Sequence, residues 1–396
     1  MPEISYTRVN DNTPVLVGCA QLTDKRGVEG YNYLEILTEV SKKALIDCEA
    51  SKDFRQEIDT VGVIRFVADT PQRDSATSDL WGYPNMPRSL ARSLGFNAKN
   101  EIYTTTGGNS PQIAINELAN RIKDKQIECA LLSGGEALDT FVTRLKDGLE
   151  VNWSDEPGGE PEIIGKSEDG TNDHEKIHGI FNPSSVYPLF ANSLRGLNNQ
   201  TVQEHMNDTG ELFERFSKVA SKNKYSWFPI HRSAEEIALT QPENRMIGLP
   251  YTKYMNSIMR VNQSCALILM SAKKARELGI PTSKWVFMYA GACINDIWNV
   301  SDRVDYSSSP AIKACSDNVF ELADVKIEEL NFIDLYSCFP SAVQIAMKEL
   351  ELSKDDPRGL TVTGGLPYFG GPGNAYVMNS IACLLYTSPS PRDCKT

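Results

Sequence analysis

Four short stretches of this chain carry residue types able to do chemistry. The first is residues 102–122. A β-branched run ends at Gly107 and Gly108, and Asn109-Ser110-Pro111 then opens a helical pattern. Ser110 has the side chain of an N-cap, and Pro111 suits the first helical position. Paired glycines let a ligand approach the backbone closely. A helix N-terminus at the end of a strand offers N–H groups and a positive dipole end to an anion or a developing oxyanion. Asn109 and Ser110 are therefore candidate catalytic groups, and Gly107 and Gly108 a candidate binding surface. Ile113, Ala114, Ile115, Leu118, Ala119 and Ile122 cover more than one stripe, so the helix is expected to be buried on several sides. A capped core helix with no ligand is the alternative.

The second stretch, residues 334–340, ends a predicted strand in Tyr336-Ser337-Cys338-Phe339 and starts a helix at Pro340. A thiol facing a helix N-terminus ionises more readily and can act as nucleophile or acid/base; a buried, inert Cys338 beside Phe339 is the alternative. Tyr336 joins it as a candidate catalytic group, with Ser337 and Phe339 as binding residues. The third stretch is the Gly/Pro loop of residues 364–374, holding Gly370, Gly371 and Pro372. No Lys follows the glycines and G-x-G-x-x-G is absent, so neither a Walker loop nor a dinucleotide fingerprint is present. Such a loop lets a ligand lie flat on backbone. The fourth is His174-Glu175-Lys176-Ile177-His178, an H-E-x-x-H match. Gly170 and Gly179 bracket it and leave little room for a helix, and no third ligand is recognisable, so surface histidines and no metal site are expected.

These loops need a scaffold, and the hydrophobic pattern supplies one. Strands are predicted over 15–19, 58–67, 102–106 and 129–133, alternating with helices over 33–50, 89–94 and 111–125. That rhythm marks a mostly parallel sheet with helical crossovers. It breaks between about residues 148 and 259, where a Gly-, Pro- and acid-rich loop (153–172) precedes helices over 182–194, 201–223 and 234–238. The rhythm returns with strands over 265–270, 286–292, 331–335 and 360–363 and helices ending at 278, 322, 350 and 385. Thr104-Thr105-Thr106-Gly107-Gly108 and Thr361-Val362-Thr363-Gly364-Gly365 agree at four of five positions, each before a helix. The repeat favours a duplicated α/β fold.

Composition bounds the rest. The 396 residues are 41% hydrophobic, with room for roughly two domains. The net charge of −12, without a basic stripe, argues against nucleic acid. Any anionic ligand must be held locally. No run of roughly 18 apolar residues suggests a membrane span. Nine scattered cysteines without a C-x-x-C pair suggest reduced thiols in an intracellular, cytoplasmic protein. The last residues, 386–396, switch abruptly to Ser, Pro and charge, and read as a non-native tail on a truncated C-terminus, with a solvated native tail as the alternative.

Taken in this order, the loops resemble those of the thiolase superfamily, and most nearly the sterol-carrier-type thiolases and thiolase-like acetyl-CoA acetyltransferases. The resemblance runs from about residue 14 to 382. It implies a duplicated five-layer αβαβα fold: a first half at 1–147, a loop-domain insertion at 148–259 and an incomplete second half at 260–385. Alignment on Gln112 and Ala114 puts Gly107 where the family carries its nucleophilic Cys. Tyr336-Ser337-Cys338-Phe339 resembles the H-D-C-F motif, keeping Cys and Phe. Gly370-Gly371-Pro372 resembles G-H-P, with Gly371 in place of the His. The family's last loop is not found.

The resemblance therefore implies a thiolase-like acyltransferase acting on or binding acyl-CoA thioesters through a divergent site. A non-catalytic CoA- or acyl-lipid-binding protein on the same scaffold is the alternative. Standard thiolysis is not expected, since nucleophile and base are both replaced. No resident cofactor is implied, only a coenzyme A thioester as substrate or ligand. The family also implies a homodimer through strands of the first half, and leaves a peroxisomal location open.

Overall fold

The computed structural model describes residues 9–67, 69, 82–166, 168 and 170–387. The predicted tail therefore lies outside the described residues from 388 onward. The chain divides into two compact units that do not follow chain order. One combines residues 1–166, 259–289 and 372–396; the other combines 167–258 and 290–371.

The first unit is built on a seven-stranded sheet. Its elements in chain order are β1 (Pro14–Thr23), α1 (Tyr33–Asp47), β2 (Thr60–Val63), α2 (Met86–Ser93), β3 (Asn100–Thr104), α3 (Ser110–Lys123), β4 (Cys129–Ala137), α4 (Leu138–Lys146) and β5 (Glu162–Ile164). The later segments β8 (Asn262–Ser271), α9 (Ala272–Glu277), β9 (Val286–Phe287) and α12 (Tyr376–Thr387) join the same unit. Val15, Val17, Val61, Val63, Leu131 and Ile268 alternate toward α1 and α2, while Leu16, Ile102, Leu132 and Leu267 face α3 and α12. A sheet buried on both faces is what near-continuous apolar strands require. Sheet order is β5-β3-β2-β4-β8-β1-β9, with β5, β3, β2 and β4 parallel and β8 antiparallel to both neighbours. The unit is thus mixed α/β with parallel crossovers.

The second unit opens with helices α5 (Asp173–Ile177), α6 (Pro183–Leu197), α7 (Val202–Ala220) and α8 (Ala234–Ala238). Two reciprocal caps, Thr201 with Glu204 and Ser233 with Glu236, start α7 and α8. A small ribbon, β6 (Met246–Gly248) with β7 (Tyr251–Thr252), follows. The chain returns to the first unit for β8 (Asn262–Ser271), α9 (Ala272–Glu277) and β9 (Val286–Phe287). It re-enters the second for α10 (Pro310–Ala323) and α11 (Pro340–Glu349), and ends in α12 (Tyr376–Thr387), again in the first.

Three expectations need correction here. The strand predicted over 286–292 is laddered only at Val286 and Phe287. The strands predicted over 331–335 and 360–363 do not form. Leu335 N–H donates to Leu360 O, but the Asp334 carboxylate accepts the Val362 N–H at 2.8 Å and the Thr361 hydroxyl at 3.1 Å. A side chain has taken the donor that a ladder would use. A cavity of about 770 Å³ opens beside these segments, lined by Asp334, Leu335 and Tyr336 together with Ile312, Ile345 and Leu350. No residue of α10 is fully buried, although Ile312, Val319 and Phe320 give it an apolar face.

Candidate active site

The Gly107 loop is positioned inside the first unit by β3 and α3. Its helix is entered one residue earlier than expected: Asn109 is the N-cap and makes no side-chain cap bond, while Ser110 is the first helical residue. The Ser110 hydroxyl instead donates to Thr105 O at 2.8 Å, closing the turn. Asn109 is exposed; Gly107 and Gly108 are half-buried. Burial of α3 follows a single stripe of Pro111, Ala114, Ile115, Leu118 and Ile122, with Ile113 and Ala119 half-exposed, so the helix is not covered on several sides as its composition suggested. The Gly107 N–H donates to Asn374 Oδ1 at 3.0 Å, and Asn374 Nδ2 donates to Arg65 O at 2.8 Å. The amide proposed to face a ligand is therefore committed to Asn374, a residue the sequence reading passed over.

The Cys338 loop lies in the second unit and is placed by α11, whose first residue is Pro340. Cys338 and Phe339 are buried, and Ser337 is fully so. Tyr187 of α6 stacks on Phe339 at 4.3 Å between centroids, and Tyr251 lies 6.0 Å from the same ring. The Tyr251 hydroxyl accepts the Ser341 N–H at 3.0 Å, satisfying one of the open donors at the start of α11. Burial pushes the Cys338 thiol up to about 11; hydrogen bonding from the Tyr187 hydroxyl and from backbone N–H groups only partly opposes it. Tyr187 is itself pushed up, first by the charge Cys338 would carry and then by burial. Burial also pushes Tyr336 up, with Cys338 adding to it. Of the two readings of this thiol, the buried Cys338 beside Phe339 is the one this helix end holds. Desolvation outweighs the dipole.

Two of the singled-out loops meet in this unit. Ser257 N–H donates to Cys338 O at 3.2 Å, and Leu366 N–H donates to the Ser337 hydroxyl at 3.3 Å. A Cβ built on Gly371 would lie 2.5 Å from Ser257 Oγ and 3.4 Å from Leu366 Cδ2. Ser257 and Leu366 therefore bridge the Cys338 loop and the Gly370-Gly371 loop. The Gly371 N–H is spent on Ile258 O at 2.9 Å. Tyr187, Tyr251 and Ser257 were missed by sequence reading. They sit in helical or loop segments far away in the chain, with no motif of their own, and only the fold brings them to Phe339.

The H-E-x-x-H stretch makes only a five-residue helix, α5. His178 is its C-cap and its Nδ1 contacts His174 O; Glu175 closes a reciprocal cap with Asn172 and accepts the Ser301 N–H. The two rings are 4.5 Å apart. Among the described residues no cluster of three His, Cys, Asp or Glu side chains could hold a metal. None of the eight described cysteines is disulfide-bonded, and Cys293 alone among them is exposed. No helix of the described residues is long and apolar enough to cross a membrane.

Comparison with known proteins places this geometry. No family model matches the chain. A monomeric SCP2-thiolase-like protein type 1 from Mycobacterium smegmatis superposes with a TM-score of 0.76 and 32% identity, over 96% of this chain and 72% of that one. The acetyl-CoA acetyltransferase of Syntrophomonas wolfei superposes with a TM-score of 0.64 at 15% identity, over 95% of this chain and 92% of that one, a likeness of fold. By sequence, an acetyl-CoA acetyltransferase of Methanocaldococcus jannaschii is 23% identical over 252 residues, 61% of this chain. The match spans 60% of that curated relative's length.

Proposed function

The chain belongs to the thiolase superfamily, close to the SCP2-thiolase-like proteins, and on that premise we propose that it acts on acyl-CoA thioesters as a divergent acyltransferase. In this reading Gly107 stands in the nucleophile position and Gly371 in the position of the activating His. The coenzyme A thioester is substrate, and no resident cofactor takes part. The reading rests above all on one observation: the Cys338 loop and the Gly371 loop converge on Ser257 and Leu366, through the Cys338 carbonyl and the Ser337 hydroxyl, so the two loops that resemble the family's motifs lie side by side.

The chemistry follows from the state of that thiol. With a value near 11, roughly one Cys338 in ten thousand is thiolate at neutral pH, so it is a proton donor rather than a standing nucleophile. The acyl group then passes directly from the thioester to the acceptor. The departing coenzyme A sulfur takes a proton from Cys338 Sγ, and the acceptor returns its proton to the sulfur, which closes the cycle. Tyr187, hydrogen-bonded to the same sulfur, holds it in place. Such a route lacks the covalent intermediate that splits one difficult step into two, so turnover is expected to be slow.

A specific observation also favours the second reading, a non-catalytic CoA- or acyl-lipid-binding protein. Both glycine-loop amides that could polarise a thioester, those of Gly107 and Gly371, are bonded within the protein. One experiment separates the two. The protein is incubated with acetyl-CoA and acetoacetyl-CoA, and free coenzyme A is followed beside intact mass. Release that Cys338→Ala abolishes, without a mass adduct, supports the acyltransferase; ligand-induced thermal stabilisation without release supports the binding protein.

A further inference from the structure

The second unit holds a pair of thiols that the function above does not use. Residues 290–297 form neither helix nor strand. This loop is pinned to α10 at Asp296, whose Oδ2 accepts the hydroxyl of the N-cap Ser309 at 2.8 Å and an Arg303 nitrogen at 3.1 Å. From Ser309 to Cys315 the helix rises about 9 Å, at roughly 1.5 Å per residue. Three extended residues, from Asp296 back to Cys293, reach about 10 Å. A loop running beside the helix therefore brings Cys293 level with Cys315. Two observations agree with that course. Ile294 and Cys315 line the same groove of about 360 Å³, with Ile312, Val319 and Leu350. The Ile294 N–H, one peptide bond from Cys293, faces the Cys315 sulfur.

The two thiols differ in the way a stepwise oxidation needs. Cys293 is exposed and open to a small oxidant, while Cys315 is half-buried on its helix and the other six described cysteines are buried. Burial raises the Cys315 pKa, the Ile294 N–H opposes that rise, and a charge on Cys293 adds to it. Cys315 is thus the slower thiol to meet an oxidant and the one placed to attack a sulfur already oxidised beside it.

We propose that hydrogen peroxide joins Cys293 and Cys315 in a reversible disulfide that staples the 290–297 loop to α10. The Cys293 sulfur attacks the peroxide, the O–O bond breaks, and one oxygen leaves as water, giving the sulfenic acid. The Cys315 sulfur then attacks Cys293 Sγ; the S–O bond breaks, and the departing hydroxyl takes the Cys315 proton and leaves as a second water. Two thiols are oxidised by two electrons, and one peroxide is reduced to two waters. The bond ties Asp296 and Trp298, just beyond the loop, to Ile312 on the helix, and all three line the cavity of about 770 Å³. The staple thus holds one wall of that cavity in place. It does not depend on whether the protein turns over acyl-CoA.

Peptide mapping tests it. Trypsin cuts after Lys284, Arg303, Lys313 and Lys326, which puts Cys293 on residues 285–303 and Cys315 on residues 314–326, one cysteine each. The protein is treated with hydrogen peroxide, its remaining thiols are blocked with iodoacetamide, and it is digested without reductant. The two peptides should appear joined, lighter by two hydrogens than their sum, and dithiothreitol should separate them. Amide exchange over residues 294–299 should slow by about tenfold on oxidation and recover on reduction. Cys293→Ser should leave Cys315 open to alkylation after peroxide, and Cys315→Ser should leave Cys293 as a sulfenic acid that dimedone traps. Cys293 driven to the sulfinic acid while Cys315 stays alkylatable, a bond from Cys293 to any other cysteine, or unchanged exchange once the two are joined would overturn the proposal.

Discussion

Two nearly identical loops in this protein satisfy their backbones in different ways. Thr104-Thr105-Thr106-Gly107-Gly108 follows a strand laddered on both sides, so main-chain partners do most of the work. Thr361-Val362-Thr363-Gly364-Gly365 follows no ladder. There the Asp334 carboxylate accepts from Val362 N–H, Thr361 Oγ1 accepts from Gly364 N–H at 3.0 Å, and Thr363 Oγ1 accepts from Gly365 N–H at 3.1 Å. A strand-like composition becomes a strand when a neighbour presents an edge, and otherwise side chains take over its hydrogen bonds. The second loop should therefore be the more sensitive of the two to side-chain changes.

The largest contrast is expected at the glycines. Gly364 has φ +111° and packs against the Ala220 backbone, with a built Cβ only 2.5 Å from Ala220 N. Gly364→Val should cost more than about 3 kcal/mol, since conformation and space both fail. At Gly107 the nearest atom to a built Cβ is Asn109 Oδ1 at 2.8 Å, the end of an exposed amide that can turn aside. Since φ +157° at Gly107 also disfavours a side chain, Gly107→Ala should cost about 1–2 kcal/mol, less than Gly364→Val. Urea unfolding of the two variants checks this, and equal losses would break the comparison. Next in size is Asp334→Ala, which takes from the half-buried Val362 N–H its acceptor and from the buried Thr361 hydroxyl one of its partners, and should cost about 1–3 kcal/mol. Thr104→Val in the laddered loop loses only the acceptor of the Arg65 N–H, and should cost about 1 kcal/mol.

How much of this was legible in the sequence follows the same division. In the first unit the apolar runs around Val15, Val61, Ile102 and Leu131 each found an edge, and their predicted strands formed. Helices set by strong local caps, such as the one after Thr201, were placed closely as well. The failures fall at residues 288–292, 331–335 and 360–363, where apolar or β-branched residues were present and a ladder was not. For the site, the loops around Gly107, Cys338 and Gly371 stood out because glycine, thiol and proline are locally distinctive. Their partners did not. Tyr187, Tyr251, Ser257 and Asn374 act through contacts distant in the chain, which no spacing rule encodes. The ionisation of Cys338 stayed open between two readings for a similar reason: a helix N-terminus is visible in sequence, whereas the burial that decides for the inert thiol depends on α6 and on the segment around Ser257.

A smaller effect sharpens the chemical half of the comparison. Because burial holds the Cys338 thiol neutral up to about pH 11, the sulfur should stay protonated across pH 6–9 and ionise only as pH approaches 11. Alkylation of Cys338 by iodoacetamide, followed by peptide mass, should therefore be slow at pH 8 and rise about tenfold per pH unit up to pH 10. The exposed Cys293 provides the fast internal control. A Cys338 rate at pH 8 equal to that of Cys293 would mean an activated thiolate.

If this thiolase-like chain engages acyl-CoA without an acyl acceptor at position 107, a thermal-shift titration with acetyl-CoA, joined to intact mass on the same samples, will show it. The melting temperature should rise with ligand, by an amount corresponding to about 2.7 kcal/mol at a hundredfold excess over Kd, and the protein mass should stay unchanged. No stabilisation at millimolar acetyl-CoA, or a stable acyl adduct on the wild-type protein, would contradict it.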